Sequence, residues 1–97
     1  MEKNYYGENW LDVEKNNSSI TYYQNKLLHR ENGPALIEYY ENGNIQKKSY
    51  YKNGILHREN GPAVIFYNIK KNIKTKVHYL NGKKITEKKL KEIGIDI

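Results

Sequence analysis

The chain has 97 residues, ten of them Tyr, and a formal net charge of +6, with 17 Lys and Arg against 11 Asp and Glu. A single domain of this length buries only about 60% of its unfolded surface, and the absence of Cys excludes a disulfide framework, a thiolate metal site and a Cys nucleophile. The start lacks the basic and apolar regions of a secretory signal and the longest apolar run is too short to cross a membrane, so we expect an intracellular, cytoplasmic protein.

The first 18 residues contain the sole Trp of the chain, Trp10, together with Leu11 and Val13. Repeat arrays need atypical terminal segments to close the exposed end of the core. We therefore interpret residues 1–18 as an N-terminal cap that packs over the first hairpin of a single domain covering residues 1–97.

Residues 19–85 contain an internal repeat. The segment Leu28–Ala35 (Leu-His-Arg-Glu-Asn-Gly-Pro-Ala) recurs unchanged as Leu56–Ala63, and the ungapped register from Tyr22 to Val77 pairs 28 positions, of which 16 are identical. A partial third copy begins at Tyr79. A fixed period is typical of proteins in which each unit buries its apolar face against the next unit.

Asn-Gly pairs divide the repeats into strand-like segments. They lie at residues 32–33, 42–43, 53–54, 60–61 and 81–82. Asn and Gly tolerate the positive φ angles of a type I′ hairpin turn, so this spacing predicts hairpins. The predicted strands are Ser19–Gln24, Ala35–Glu41, Ile45–Lys52, Ala63–Ile69 and Ile73–Leu80. The arms Leu27–Arg30 and Ile55–Arg58 are interpreted as brief strands or ordered loops.

The pattern therefore predicts a mainly β fold, an antiparallel meander of stacked hairpins with a 28-residue period. Alternate residues of a strand share a face, and Ile37 and Tyr39 recur as Ile65 and Tyr67, so we interpret their face as the core. The opposite face is basic, varies more between the copies and carries aromatic rings. Its candidate partner-binding residues are Tyr40, Lys48, Tyr50, Lys52, Phe66, Lys74, Lys76 and His78.

The duplicated His-Arg-Glu triplets are the sequence's nearest approach to a catalytic site. A His with a Glu two residues further on could form an acid–base pair or supply two metal ligands. The intact duplication beside a turn favours a structural motif, in which Arg and Glu pair or bind turn carbonyls and His packs beside a Tyr. This turn motif comprises His29, Arg30, Glu31, Asn32, Gly33, Pro34, His57, Arg58, Glu59, Asn60, Gly61 and Pro62.

Other enzyme signatures are absent from the sequence. It contains no Walker A loop, no Gly-x-Ser-x-Gly elbow, no His-Glu-x-x-His and no dinucleotide fingerprint. We therefore predict a protein that is not an enzyme and that needs neither a metal nor a cofactor.

Residues 86–97 are predicted to form a helical cap. Thr86 is a suitable N-cap residue, Leu90 and Ile93 share one helix face, and Gly94 suits the position that follows a helix. Ile95 and Ile97 are expected to tuck under the sheet.

Two segments of the chain resemble a known family. The run Tyr50–Tyr67 and the shorter Tyr-Tyr-Glu-Asn-Gly-Asn-Ile of residues 39–45 are similar to the MORN-repeat-variant proteins of low-GC bacteria, phages and giant viruses, often labelled YwqK-family antitoxins. The resemblance covers residues 20–90 and implies a twisted antiparallel sheet of stacked hairpins. It also implies a protein partner such as a toxin or a host-defence effector, inhibited in the manner of an antitoxin or an anti-CRISPR protein.

The function predicted first is binding of one protein partner through the basic, aromatic face, where aromatic rings anchor and charges steer. The alternative is binding of RNA or single-stranded DNA, whose bases stack on rings between Lys side chains. Because 15 of the 17 basic residues are Lys, AT-rich codon usage also explains the charge, and few Arg forks are available to read phosphates. A structural array without a discrete site is the third alternative.

Overall fold

The computed structural model describes residues 2–6, 9–92 and 94, with side chains from Leu11 to Glu92. It confirms a mainly β fold, an antiparallel meander with one short C-terminal helix. The elements are β1 (Glu2–Tyr6), β2 (Asn9–Lys15), β3 (Ser19–Gln24), β4 (Leu27–Leu28), β5 (Leu36–Tyr39), β6 (Ile45–Ser49), β7 (Tyr51–Lys52), β8 (Ile55–Leu56), β9 (Val64–Tyr67), β10 (Ile73–Leu80), β11 (Lys83–Ile85) and α1 (Glu87–Glu92). The main sheet has the order β1-β2-β3-β5-β6-β9-β10-β11, β4 lies beside β3, and β7 pairs with β8 separately.

Strand limits match the sequence prediction for two of the five predicted strands. The predicted bounds of β3 and β10 are the observed ones. The predicted strand 45–52 is instead divided at Tyr50 into β6 and β7, and β5 and β9 are shorter than predicted. The two arms contain two-residue strands, β4 and β8, which is one of the two interpretations left open.

The N-terminal segment extends the main sheet as a hairpin beside β3. β1 and β2 form a hairpin, and β2 pairs antiparallel with β3, which places Val13 opposite Tyr22. The side chains of Leu11, Val13 and Tyr22 form a buried cluster against which Ile20 packs. The side chain of Trp10 lies outside those described.

The Asn-Gly pairs fall into different conformations. Both residues of Asn53-Gly54 and Asn81-Gly82 have positive φ, as predicted for type I′ turns. In Asn42-Gly43 only the glycine does. The pairs at 32–33 and 60–61 have no positive φ at all. The type I′ prediction is therefore wrong for these two pairs and for Asn42-Gly43.

Two β-bulges reverse the predicted assignment of faces. In β6, Ile45 lies opposite Tyr39 but Lys48 lies opposite Ile37, because the register shifts between them; β10 has the equivalent shift between Ile73 and Thr75. An extra residue in a strand exchanges the faces of every residue beyond it. Lys48 therefore lies on the same face as Ile37, although it was predicted on the opposite face. The predicted separation of a core face from a basic face is wrong.

The C-terminal helix begins as predicted. Thr86 Oγ1 accepts the backbone N–H of Lys89 at 3.2 Å, Leu90 is 1% exposed, and Gly94 has a φ of 81°. These contacts confirm the N-cap, the buried helix position and the glycine after the helix. Ile93, Ile95 and Ile97 lie outside the described residues.

Candidate functional site

A row of directly paired side chains crosses the middle of the main sheet. Successive strand registers place these residues opposite one another in the order Lys15, Ile20, Ile37, Lys48, Ile65 and Lys76. Directly opposed residues of an antiparallel sheet point to the same side. We call this line the basic row and its side of the sheet the basic face.

The apolar members of the basic row lie between Lys side chains. Ile65 is 8% exposed, and it has Lys48 on one side and Lys76 on the other. The methylene stems of Lys cover apolar surface while the ammonium groups stay in water. Neighbouring strands lie about 4.8 Å apart, so Lys48 and Lys76 are about 10 Å apart along the row.

The two faces differ in charge. In strands β2 to β10 of the main sheet no Asp or Glu points to the basic face. Asp12, Glu14 and Glu38 are paired with Tyr23, Thr21 and Lys47 on the other side, which we call the mixed face. There Lys47 Nζ lies 3.8 Å from Glu38 Oε1. The Lys charges of the basic row have no such acidic neighbours in their own strands.

Two adjacent lysines contact aromatic rings on opposite faces. Lys48 Nζ lies 5.5 Å from the centroid of the Tyr67 ring on the basic face, and Lys47 Nζ lies 5.3 Å from that of Phe66 on the mixed face. Such cation–π contacts contribute about 0.5–1 kcal/mol at exposed sites. The prediction that Phe66 shares a face with Lys48 is wrong, because the registers pair Phe66 with Lys47 and Ile65 with Lys48.

A groove of about 370 Å³ opens on the basic face near the hairpin tips, and we call it the tip groove. Its lining residues are Tyr39, Gly43, Asn44, Ile45, Tyr67 and Lys71. The tips are tied together, because Tyr40 Oη donates to the Tyr67 carbonyl at 2.7 Å and Asn44 Nδ2 donates to the Ile69 carbonyl at 2.9 Å. Ile69 and Ile73 are about half exposed at the same end.

Each Arg of the duplicated turn motif lies on a Tyr ring. Arg30 Cζ is 4.0 Å from the centroid of Tyr22, and Arg58 Cζ is 3.9 Å from that of Tyr50. Each guanidinium also donates from Nη1 to a proline carbonyl, Arg30 to Pro34 at 3.2 Å and Arg58 to Pro62 at 3.1 Å. This carbonyl contact was one of the predicted alternatives.

A glycine lies three residues after each Arg. The Arg guanidinium occupies the space that a side chain at the glycine position would fill. A Cβ atom placed on Gly33 would lie 3.1 Å from Arg30 Cζ, and one on Gly61 would lie 3.0 Å from Arg58 Nη1. Contacts this short require the Arg side chain to shift. Room for the guanidinium, and not a positive φ, therefore accounts for the glycine of these two Asn-Gly pairs.

Each His of the motif joins one repeat to the next. His29 Nδ1 accepts the backbone N–H of Asn53 at 3.0 Å, and His57 Nδ1 accepts that of Asn81 at 2.9 Å. An accepting Nδ1 leaves the proton on Nε2, which then donates to Glu31 at 2.8 Å or to Glu59 at 3.4 Å. The predicted Arg–Glu pair and His–Tyr packing are replaced by a His–Glu pair and Arg–Tyr packing.

Two titratable groups of the described chain are perturbed. The hydrogen bond from His29 lowers the pKa of Glu31 below its ordinary 4.5, and the charge of Lys52, whose Nζ lies 3.6 Å from Glu31 Oε2, adds to this effect. Burial lowers the pKa of His78 below 6.5. His78 is 5% exposed, and its Nε2 has no hydrogen-bond partner within the described part of the chain.

The structure thus divides the eight candidate binding residues. Lys48 and Lys76 belong to the basic row, and Lys74 is exposed at the β10 bulge. Tyr40, Tyr50 and Lys52 take part in the internal contacts given above, His78 is buried, and Phe66 lies on the mixed face. Lys15, Tyr39 and Tyr67 were not predicted as binding residues, because their membership of the basic face depends on strand pairing and bulges.

Within residues 11–92, no group of three or more His, Asp or Glu side chains is placed to hold a metal ion. No helix of the described chain is long and apolar enough to span a membrane. Comparison of the chain with protein-family models, curated proteins and solved structures gave no match.

Proposed function

We propose that the chain is a binding module whose basic face docks on an acidic surface of a protein partner. The observation that supports this most is the charge difference between the two faces. Lys15, Lys48 and Lys76 lie on one line, and no Asp or Glu of strands β2 to β10 in the main sheet shares their face, whereas the mixed face has its own carboxylates. Complementary charge of this kind steers partners together and suppresses wrong pairings.

The tip groove would supply the apolar anchor of this interface. Tyr39, Ile45 and Tyr67 lie beside the basic row and provide the aromatic and aliphatic surface typical of the centre of an interface. The two hydrogen bonds that tie the hairpin tips together limit their freedom before binding, which lowers the entropy lost on association.

A protein partner is favoured over nucleic acid because cations already cover the aromatic rings. Tyr22, Tyr50, Phe66 and Tyr67 each have an Arg or Lys over one ring face. Single-stranded nucleic acid is held by bases stacked on open aromatic faces. The family resemblance suggests that the acidic partner is a toxin or a defence effector, which would be inhibited by occlusion of its surface.

The test uses the adjacent lysines on opposite faces as a matched pair. A partner is captured from the native host with the unaltered chain, identified by mass spectrometry, purified and titrated by calorimetry. We expect Lys48→Gln and Lys76→Gln each to weaken its binding several-fold, mainly by slowing association, and Lys47→Gln to leave the affinity unchanged. Equal losses for Lys47→Gln and Lys48→Gln would contradict docking through the basic face.

A second pair tests the anchor. Tyr67→Ala is expected to reduce affinity by about 2 kcal/mol or more, as loss of an interface aromatic does, while Phe66→Ala has little effect. Titration of fluorescent single-stranded RNA and DNA at several salt concentrations distinguishes the alternative. Tight binding with a log–log salt slope of about −0.7 per neutralised phosphate would replace the protein interface with a nucleic-acid one.

A further inference from the structure

The chain contains five Asn-Gly pairs, in which the same two residues lie in different backbone environments. Asn-Gly is the dipeptide most prone to deamidation, because a following glycine leaves its amide nitrogen open to attack the Asn side chain. The reaction requires that this nitrogen is free and that the Asn carboxamide can turn towards it. These requirements separate the five pairs into two groups.

Three pairs are held by hydrogen bonds of the glycine N–H. Gly54 N–H donates to the Leu28 carbonyl at 2.7 Å, Gly82 N–H to Leu56 at 2.8 Å and Gly43 N–H to Tyr40 at 3.0 Å. At the first two pairs the backbone is also fixed in a type I′ turn. At the third, Asn42 Oδ1 accepts the N–H of Asn44 at 2.9 Å, which restrains the carboxamide.

The other two pairs lack these restraints. Within the described chain, neither Gly33 nor Gly61 donates its N–H to an acceptor, and the exposed side chains of Asn32 and Asn60 make no hydrogen bond. The guanidinium of Arg30 or Arg58 occupies the space in which a Cβ of the same glycine would lie. A fixed positive charge stabilises the anionic nitrogen and the oxyanion that form during attack.

We propose that Asn32 and Asn60 are modification sites at which the folded chain deamidates spontaneously. The glycine amide nitrogen loses its proton to solvent base and forms a bond to Asn Cγ; the Cγ–Nδ2 bond breaks and the nitrogen leaves as ammonia. Water then opens the resulting succinimide at either carbonyl to give aspartate or isoaspartate. The balance is one amide and one water converted to one carboxylic acid and one ammonia.

The products would change the charge of a specific surface. Asn32 and Asn60 line a groove of about 340 Å³ between the two turn motifs, together with Arg30, Lys52 and Arg58. Each deamidation adds a carboxylate beside these cations, and isoaspartate lengthens the loop backbone by one methylene. The modification therefore acts on the groove that separates the repeats and leaves the basic row unaltered.

The experiment uses the three restrained pairs as internal controls. The folded, unaltered chain is incubated at mildly alkaline pH, and each Asn-Gly pair is followed by peptide mass spectrometry and by methyl transfer with an isoaspartyl methyltransferase. We expect Asn32 and Asn60 to deamidate at least about fivefold faster than Asn42, Asn53 and Asn81, the factor that one hydrogen bond of ordinary strength contributes to a barrier.

The same chain unfolded in urea provides the matched reference. All five pairs should then react at similar rates, because their dipeptide sequence is the same. Equal rates in the folded state, or faster reaction at Asn53 or Asn81 than at Asn32 and Asn60, would overturn the proposal.

Discussion

The two turn motifs have the same six residues and the same hydrogen bonds but different surroundings. The His29 side chain is 5% exposed and lies 2.8 Å from Glu31, whereas that of His57 is 12% exposed and lies 3.4 Å from Glu59. Glu31 has a second partner, Lys52, from the following repeat. Leu80 occupies the corresponding position one repeat later and offers no charge to Glu59.

This difference shows which part of the motif is local. Arg, Gly and Pro lie within five residues of one another and form the same contacts in both copies. The burial of each His and the charge beside each Glu come from the next repeat. Both effects are weaker for the second copy because the sheet ends soon after it. The contribution of an identical motif to stability therefore depends on its position in the array.

The largest expected effect is loss of the Arg side chain from the first motif. Arg30→Ala removes the contact with the buried Tyr22 ring and the hydrogen bond to Pro34, so we expect it to lower the free energy of unfolding by about 2–3 kcal/mol. Arg58→Ala should cost about 1–2 kcal/mol because Tyr50 is less buried. Urea denaturation of both variants measures the difference, and equal losses would show that position does not matter.

The next effect concerns the link between repeats. His29→Phe keeps a ring but removes the acceptor of the Asn53 N–H, and we expect a loss of about 1–2 kcal/mol because the site is shielded from water. In His57→Phe water can replace the acceptor for the exposed Asn81 N–H, so the loss should stay below about 1 kcal/mol. Thermal unfolding and amide exchange at Asn53 and Asn81 test this order.

The third prediction uses His78, which replaces the Tyr of the first two copies. Because its pKa is lowered below 6.5 in the folded state, the unfolded chain binds a proton at higher pH than the folded one. Its contribution to stability is therefore complete above about pH 6.5 and is lost as the pH falls through the folded pKa. His78→Phe should flatten the part of the stability curve that lies below about pH 6.5, and an unchanged slope there would show that other groups cause it.

The smallest effect separates the two Glu residues. Glu31→Gln removes the contacts with His29 and Lys52, but both partners of the Lys52 pair are exposed, so the loss should not exceed about 1 kcal/mol. Since the pKa of Glu31 is lowered, this contribution is present above its ordinary pKa and disappears as the pH falls through the lowered value. Glu59→Gln is the control and should leave the unfolding curve unchanged. If Glu59→Gln lost as much stability as Glu31→Gln, the two Glu residues would not differ in their contribution.

Much of the fold was predictable because its signals are local. The bounds of the strands Ser19–Gln24 and Ile73–Leu80, the turns at Asn53-Gly54 and Asn81-Gly82, and the Thr86 cap each depend on a few consecutive residues. The β1–β2 hairpin was missed although Leu11 and Val13 alternate with Asp12 and Glu14, because the rest of that segment carries little apolar pattern. The candidate site was predicted only in part, since Lys48 and Lys76 were identified but were placed on the wrong face.

The sequence by itself determined the repeat, the hairpin meander and the capping helix, because these follow from local conformational preference. Only the tertiary structure decided which side chains share a face. A single inserted residue in β6 and another in β10 reverse the alternation beyond them, and no residue type marks those positions. The basic row exists because hydrogen-bond registers across distant strands bring Lys15, Lys48 and Lys76 into line, and register is fixed by packing of the whole sheet.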